Sequence, residues 1–478
     1  MQDVAQTAET SWRQALHATF ENQRWAFAGE PMRDVRERRE DLRRLKKALV
    51  GAREDLARAI AADFGHRSHD ETRLAEVIPL VSGINHSIRH LRGWMRPRRA
   101  GVHPLFLPAR ASVMYQPLGV VGIIAPWNYP LQLSLGPLVA ALAAGNRAMI
   151  KLSEYTPHTN DALQGLLGNI FTEDRVSVVQ GEAEVAAAFA ALPFDHLLFT
   201  GSTPVGRKVM AAAAANLTPV TLELGGKSPA IVDASANLET AAERICFGKS
   251  MNAGQTCIAP DYVLCPVEDV GEFVAAYRRA FARMYPSLRD NPDYSTIVND
   301  AHLERLEALI ADARDRGARI EVLNPACETL ADTRKLAPRL LLDTSEEMRV
   351  RNEEIFGPLL PVIAYERLGD AVAHVNRGPR PLALYWFGVD DARRRRVLES
   401  THAGGVTVND TLTHFVQESL PFGGIGESGM GQYHGHAGFL TFSKAKGVLR
   451  RGRFNPGRFA YPPYRPWVRR ILEVLTLR

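Results

Sequence analysis

GVVGIIAP (119–126), RAMIKLS (147–153), RVSVVQG (175–181), HLLFTGS (196–202) and VTLELGG (220–226) are the segments that decide the fold. Each is a short apolar or β-branched run stopped by Gly, Pro or Ser, the pattern of a buried strand meeting a turn. Between them lie Ala/Leu-rich stretches of helical length at 131–145, 159–170 and 204–215. Strands alternating with helices predict βαβ units and a parallel, doubly wound sheet. Such sheets bind ligands beyond the carboxyl ends of their strands.

Toward the N-terminus the rhythm is helical over residues 11–98. Leu42, Leu45, Leu49, Leu56 and Ile60 recur on one face, with Arg, Lys and Glu between them. Pro97 and the RPRRAGVHP stretch end that block. After Gly226 a second alternating block begins. SPAIVD, DYVLCP, RIEVLN, PLLPVIAY and PLALYWFG read as strands, separated by helices such as 267–284 and 301–315. Two α/β domains facing each other across a cleft are expected. The Arg393–Arg396 run reads as an exposed helix face. From about Asn409 the chain turns Gly-rich and irregular, and it carries no internal repeat or low-complexity tract.

The chain has 478 residues, enough for two or three domains. At 46% hydrophobic and 23% charged it is not globally disordered. Its net charge of +5 is spread thinly except over residues 450–478, where eight Arg face one acid, Glu473. A solvated basic face is the plain reading, and a phosphate or anionic membrane contact the alternative. Four Cys (Cys246, Cys257, Cys265, Cys327) without a CxxC pair exclude a disulfide scaffold and argue against zinc. They fit a reducing compartment. The N-terminus lacks a secretory signal's apolar core. The longest apolar stretch, Leu135–Ala144, is too short to span a bilayer. A cytoplasmic protein is expected, its terminal WVRRILEVLTLR docking on a neighbour rather than anchoring in lipid.

Several residues are suited to chemistry. Cys257 in NAGQTCIAP follows small polar residues, as an exposed thiol on a turn would. A helix N-terminus or backbone nest there would lower its pKa; a structural Cys is the competing view. Cys246 and Cys265, in apolar runs, read as core. Glu223 closes an apolar strand, so it is either a desolvated general base or half of an ion pair with Lys227. FTGSTPVG (199–206) runs a strand into a Gly-Ser-Thr turn and a helix, an arrangement whose amides hold phosphate. Its GxxxxG spacing is neither the usual dinucleotide fingerprint nor a Walker loop. Lys151 and Glu154 in KLSE suit a ribose diol, or a solvated strand end. Asn128, in the Pro-bounded turn PWNYP, is an oxyanion donor or a helix cap. EEIFGP (353–358) reads as a turn. The two His of YHGHAG lack further ligands, so no metal is expected.

Taken in order, PWNYP, KLSE, FTGSTPVG, LELGGKSP, GQTCIAP, EEIFGP and PFGGIGESGMG resemble the aldehyde dehydrogenase superfamily. The likeness runs from about Phe20 to the YPP at 461–463. VTLELGGKSPAIV, GQTCIAPDYVL, GGVTVNDTLTHF and GMGQYHG resemble its class 3 branch, and within it the bacterial coniferyl aldehyde dehydrogenases. The resemblance implies an α/β fold of two doubly wound, Rossmann-like domains with a small β oligomerisation element. It implies an NAD-binding domain at 1–102 and 119–223 and a catalytic domain at 224–410. Residues 103–118 and 411–478 would be oligomerisation and bridging segments.

By the same resemblance Cys257 is the nucleophile that adds to the aldehyde, with Asn128 and the Cys257 N–H stabilising the oxyanion. Oxidation leaves a thioester, and Glu223 activates Cys257 or the hydrolytic water. Lys151 and Glu154 fall on the adenosine ribose, Gly201, Ser202 and Gly206 on the phosphate turn, Trp127 beside the cofactor, and Glu354 and Phe356 on the nicotinamide ribose and ring. Glu154 would repel a 2′-phosphate and favour NAD, with NADP possible. Leu152 and Pro204 depart from the usual pattern; Pro204 suits the first turn of a helix. Tyr129 and Phe415 suit an aryl or medium-chain aldehyde. A homodimer is implied, with neither a nucleic acid partner nor a stable membrane anchor. The alternatives are a CoA-acylating aldehyde dehydrogenase, against which Glu223 argues, and a catalytically silent protein of the same fold.

Overall fold

The computed structural model describes residues 2–476 except 104–105, 454, 456 and 459–460, and it gives no side chains for 2–10 or 475. Met1 of the N-terminal reading and Leu477 and Arg478 of the basic tail lie outside the described residues.

The five opening segments all form strands, Val120–Ile124, Arg147–Lys151, Val176–Val179, His196–Thr200 and Val220–Glu223. They pair in parallel, and a two-residue strand, Gly429–Met430, adds antiparallel beside Val220–Glu223. Helices cover both faces. Leu16 and Phe20 of Gln2–Gly29 pack with Val120, Ile124 and Phe194 on one side. Leu42, Leu45 and Leu49 of Val35–Phe64 pack with Leu131, Leu135 and Ile150 on the other. The Leu135–Ala144 run belongs to the helix Pro130–Ala144, buried on nearly every side. That all-round burial explains its lack of a polar face.

A second sheet has seven strands, with Arg319–Val322 antiparallel at one edge and the other six parallel. The Arg393–Arg396 run lies on the helix Asp391–Ser400, where Arg393 pairs with Asp233 at 2.6 Å. The third sheet, Arg98–Ala100, Arg110–Pro117 and Ser443–Arg450, is small and antiparallel.

The Gly-rich stretch is irregular, as its composition predicts, but it has a defined course. It leaves the second sheet after Gly405–Val408 and crosses to the first, where Gly429 pairs with Glu223. Gly429 has a φ of +139°. A Cβ there would lie 2.0 Å from the Leu222 carbonyl oxygen, so backbone contact demands glycine.

Candidate active site

Asn128 follows the strand Val120–Ile124, just before the helix Pro130–Ala144. Pro at the first helical position needs no N–H partner. The next two amides, Leu131 and Gln132, donate to the buried Glu76 carboxylate at 2.8 and 3.1 Å. Glu76 forms an ion pair with Arg67 at 3.1 Å, both side chains fully buried. Arg67 also donates to the Asn128 carbonyl at 2.9 Å. Asn128 therefore does not cap the helix with its side chain. Its Nδ2 donates to the Gln255 carbonyl at 3.0 Å, which engages one of its two N–H groups.

The turn before Cys257 is backbone-strained. Asn252 and Ala253 have φ of +51° and +50°, and Gly254 follows at +74°. Consecutive left-handed residues persist only where their surroundings hold them. Here Asn252 donates through its backbone N–H to Glu71 at 3.0 Å and through its side chain to the Asn128 carbonyl at 3.0 Å. Gln255 donates to the Asn252 and Thr296 carbonyls, both at 2.9 Å, and accepts from Val298 N–H at 2.9 Å.

Two clefts meet at Cys257. One encloses about 860 Å³ and is walled by Tyr129, Leu133, Phe247, Met251, Leu412 and Phe415. The other encloses about 900 Å³ and is more polar, with Trp127, Asn128, Gly201, Ser202, Glu223, Glu354 and Phe356 in its wall. Among the described residues Cys257 and Leu133 alone line both. Eight of the sequence-derived residues thus gather in one place, while Lys151, Glu154 and Gly206 stand outside its lining. Tyr129 and Phe415 lie together in the apolar cleft, where Tyr129 Oη and Thr256 Oγ1 are 2.6 Å apart.

The electrostatics correct two expectations. Cys257 is half-buried at the junction, not exposed on a turn. Its thiol is pushed up to about 12, by burial first and then by Glu354 and Glu223. The backbone N–H groups of Cys257 and Ile258 act in the lowering direction, but desolvation outweighs them. Glu223 is not paired with Lys227. Lys227 pairs with Asp261 and donates to the Val350 and Glu353 carbonyls at 2.8 and 2.9 Å. Both Glu223 carboxyl oxygens are buried without a hydrogen-bond partner among the described residues, and desolvation raises its pKa well above the usual range. Glu354 is pushed up to about 7 by burial and then Asp261, against Gly226 N–H, Lys227 and Arg305. Gly225 admits this carboxyl: a Cβ there would lie 2.2 Å from both its oxygens.

Lys151 ends its strand with Nζ donating to the Leu152 carbonyl at 2.7 Å and pairing with Glu154 at 3.7 Å. Desolvation lowers its pKa. The phosphate-type turn differs from its simplest reading. Gly201 N–H donates to the Glu223 carbonyl at 3.1 Å, and Gly206 N–H to the Ser202 carbonyl at 2.9 Å. Neither amide is free for an anion. Both glycines act by close packing instead, since a Cβ would lie 2.5 Å from the Phe199 ring at Gly201 and 2.7 Å from Leu224 at Gly206. Pro204 falls in the first turn of Thr203–Ala214. Trp127 and Phe356 meet edge to face at 5.5 Å, Phe356 holding a φ of +49°. His434 is buried, and His436 stacks near Phe439 at 6.3 Å. Among the described residues no group of three or more His, Cys, Asp or Glu is placed to hold a metal, and no helix is long and apolar enough to cross a membrane.

Sequence reasoning missed His302 and Arg305, which line the polar cleft from the helix Asp300–Asp315. His302 lies 5.0 Å from the Trp127 ring, and Arg305 donates to the Glu354 carbonyl at 3.3 Å. It also missed Thr200, whose buried hydroxyl lacks a partner there, and the Arg67, Glu71 and Glu76 group. Polar and charged residues of this kind look solvent-facing in the sequence, so only the fold reveals them.

A cysteine shared by two clefts, with a carboxyl and a carboxamide beside it, is what a thiol enzyme acting on a carbonyl compound needs. The aldehyde dehydrogenase family model matches residues 2–448, and the chain belongs to that family. It is 56% identical, over 97% of its length and 96% of the relative's, to a protein of Pseudomonas aeruginosa named probable coniferyl aldehyde dehydrogenase. It is 48% identical to the coniferyl aldehyde dehydrogenase of Pseudomonas sp. strain HR199, over 91% of each chain. Among solved structures, Staphylococcus aureus AldH in a substrate-bound state superposes with a TM-score of 0.91 at 36% identity, covering 96% of this chain and 99% of that one. Betaine aldehyde dehydrogenase of S. aureus in complex with NAD+ superposes at 0.83 with 26% identity, over 92% and 90%. The chain is an oxidoreductase that uses a nicotinamide cofactor to oxidise an aldehyde.

Proposed function

We propose that the protein oxidises an aryl aldehyde of the coniferyl type to its acid, the aldehyde entering by the apolar cleft and NAD by the polar one. The observation that supports this best is the position of Cys257, the reactive side chain lining both clefts. Two reactants must converge on one carbon, and separate approaches to a single sulfur allow it.

The polar cleft fits a dinucleotide. Its wall offers the buried, unpartnered Thr200 hydroxyl and Glu223 carboxyl, side-chain-free surfaces at Gly201 and Gly225, and the Trp127–Phe356 aromatic pair. Lys151 and Glu154 would hold the adenosine ribose, Gly201, Ser202 and Gly206 would shape the phosphate turn, and Glu354 and Phe356 would hold the nicotinamide end. The nicotinamide, when bound, supplies a hydride acceptor and a positive charge in the cleft. Glu154 opposes a 2′-phosphate, so NAD is the working cofactor in this reading.

Cys257 Sγ adds to the aldehyde carbon and forms a thiohemiacetal. The thiol proton must leave first, and in this reading Glu223, one of two carboxyls in the same cleft and the one without a hydrogen-bond partner, receives it. The second N–H of Asn128 Nδ2 and the Cys257 N–H donate to the developing oxyanion. After oxidation Cys257 carries the acyl group as a thioester. Glu223, once it has released the thiol proton to bulk water, takes a proton from the water that attacks the thioester carbonyl. It returns that proton to the departing Cys257 sulfur, so that the acid and the free thiol result.

In this reading residues 1–102 and 119–223 bind the cofactor and 224–410 carry the nucleophile, an assignment that sheet membership supports. Residues 103–118 and 411–478 bridge the two and build a homodimer on the antiparallel sheet. The reading includes a cytoplasmic location. The deciding experiment is single-turnover kinetics with mass spectrometry. Cys257→Ala should abolish oxidation and Glu223→Gln should accumulate a covalent acyl-enzyme. Wild-type turnover by Cys257→Ala would overturn the assignment.

A further inference from the structure

Gln132 lies in the first turn of the helix Pro130–Ala144, four residues after Asn128. It lines the apolar cleft together with Tyr129 and Leu133. Its backbone is pinned by Glu76, and the residue is 3% exposed. Among the described residues nothing donates to its side-chain Oε1, which is buried. A buried amide oxygen without a donor is unfavourable, and in an apolar wall Leu or Met would fill the same volume without that penalty. Other hydroxyls of this cleft are engaged: Tyr129 with Thr256, and Thr411 with the Arg244 carbonyl at 2.9 Å.

Behind Gln132 lies a much smaller pocket of about 20 Å³, which it also lines. Glu418 and His434 form part of that cavity, and both His434 ring nitrogens are buried without a partner. The His434 ring packs edge-on against Phe415 at 4.8 Å, so this polar annex abuts the wall of the apolar cleft. Gln132 is the residue common to the two spaces.

We propose that Gln132 accepts a hydrogen bond from a ring hydroxyl at the far end of an aryl aldehyde, and thereby selects phenolic aldehydes over their unsubstituted counterparts. The inference rests on the reading that Cys257 attacks an aldehyde held in the apolar cleft. One hydroxyl then meets one waiting acceptor, and a neutral hydrogen bond of this kind is worth about a tenfold preference.

The test compares 4-hydroxycinnamaldehyde with cinnamaldehyde, which differ by that hydroxyl alone, by chromatography of the acid products. In the wild type kcat/KM should favour the phenol by about tenfold, and in Gln132→Met the ratio should fall to about one. A wild type that treats the two alike overturns the inference, whatever the variant does. So does a Gln132→Met enzyme that keeps the preference. If the wild type oxidises hexanal but neither aromatic, the aryl-aldehyde reading fails and takes this inference with it. Equal, rapid oxidation of both aromatics overturns the role of Gln132 alone.

Discussion

The side-chain amide of Asn252 donates to the backbone carbonyl of Asn128 across 3.0 Å, tying the strained turn before Cys257 to the turn that carries the carboxamide. Each turn leads out of a different part of the fold, and this bond helps fix how far apart the sulfur and the oxyanion donor lie. Asn252→Gly keeps a residue suited to φ of +51° and removes the side-chain bonds to the Asn128 and Gln255 carbonyls. It should lower kcat by tenfold or more, because small misplacement of reacting groups is expensive in rate. Its melting temperature should fall only slightly, since Arg67 still binds the Asn128 carbonyl. Steady-state kinetics beside a thermal melt would check this; an unchanged kcat would release Asn252 from a positioning role.

Asn128→Ala should lower kcat by about 10²–10³, the usual effect of losing one oxyanion donor, with a smaller change in KM. A pure KM effect would assign Asn128 to substrate binding instead.

Glu354 gives the protein a signed pH dependence. Its carboxyl is pushed up to about 7 by burial, whereas an unfolded Glu ionises near 4.3. Below the lower value both states hold the proton and its stabilising contribution is complete. Between the two the unfolded chain releases a proton that the native state keeps, so stability declines, by up to about 4 kcal/mol once pH passes the folded value. Urea midpoints at pH 5 and pH 8 should therefore show Glu354→Gln gaining on the wild type at the higher pH. A constant difference between the two proteins would refute this account.

Glu154 pairs with Lys151 at the end of its strand, and a 2′-phosphate placed there would meet a carboxylate. The wild type should show a lower KM for NAD than for NADP. Glu154→Gln should narrow that gap by reducing the KM for NADP. The reverse ordering in the wild type would remove the electrostatic argument for NAD.

Much of this was legible from residue order. The apolar runs at 119–226 and 229–387 marked strands of both sheets because a strand buried on both faces has no polar period to hide it. Cys257, Glu223 and Asn128 stood out because polar residues interrupt apolar or Pro-bounded segments there. Two local properties did not survive folding. Lys227, four residues from Glu223, turned to Asp261, and the turn around Cys257 was covered rather than exposed. Arg67, Glu76, His302 and Arg305 were invisible for a physical reason. A charged residue signals its burial only through partners distant in the chain.

Gly429→Ala should be severe. The added methyl would strike the Leu222 carbonyl, and φ of +139° is forbidden to alanine. Loss of several kcal/mol is expected, of the order seen for large core disruptions, together with activity, because the strand that is displaced flanks Glu223. A soluble, active Gly429→Ala protein would show that this pairing is dispensable.

That pairing also orders events during synthesis. Residues 120–223 emerge from the ribosome long before Gly429 and Met430, yet the sheet edge at Glu223 is complete only when they arrive. The partner of Arg110–Pro117, Ser443–Arg450, comes later still. An early-formed half of the molecule must therefore wait with an open edge, the kind of surface that invites aggregation and holdase chaperones. A nascent chain arrested before Gly429 should be protease-sensitive at Val220–Glu223, and catalysis should begin only as the last tenth of the polypeptide is released.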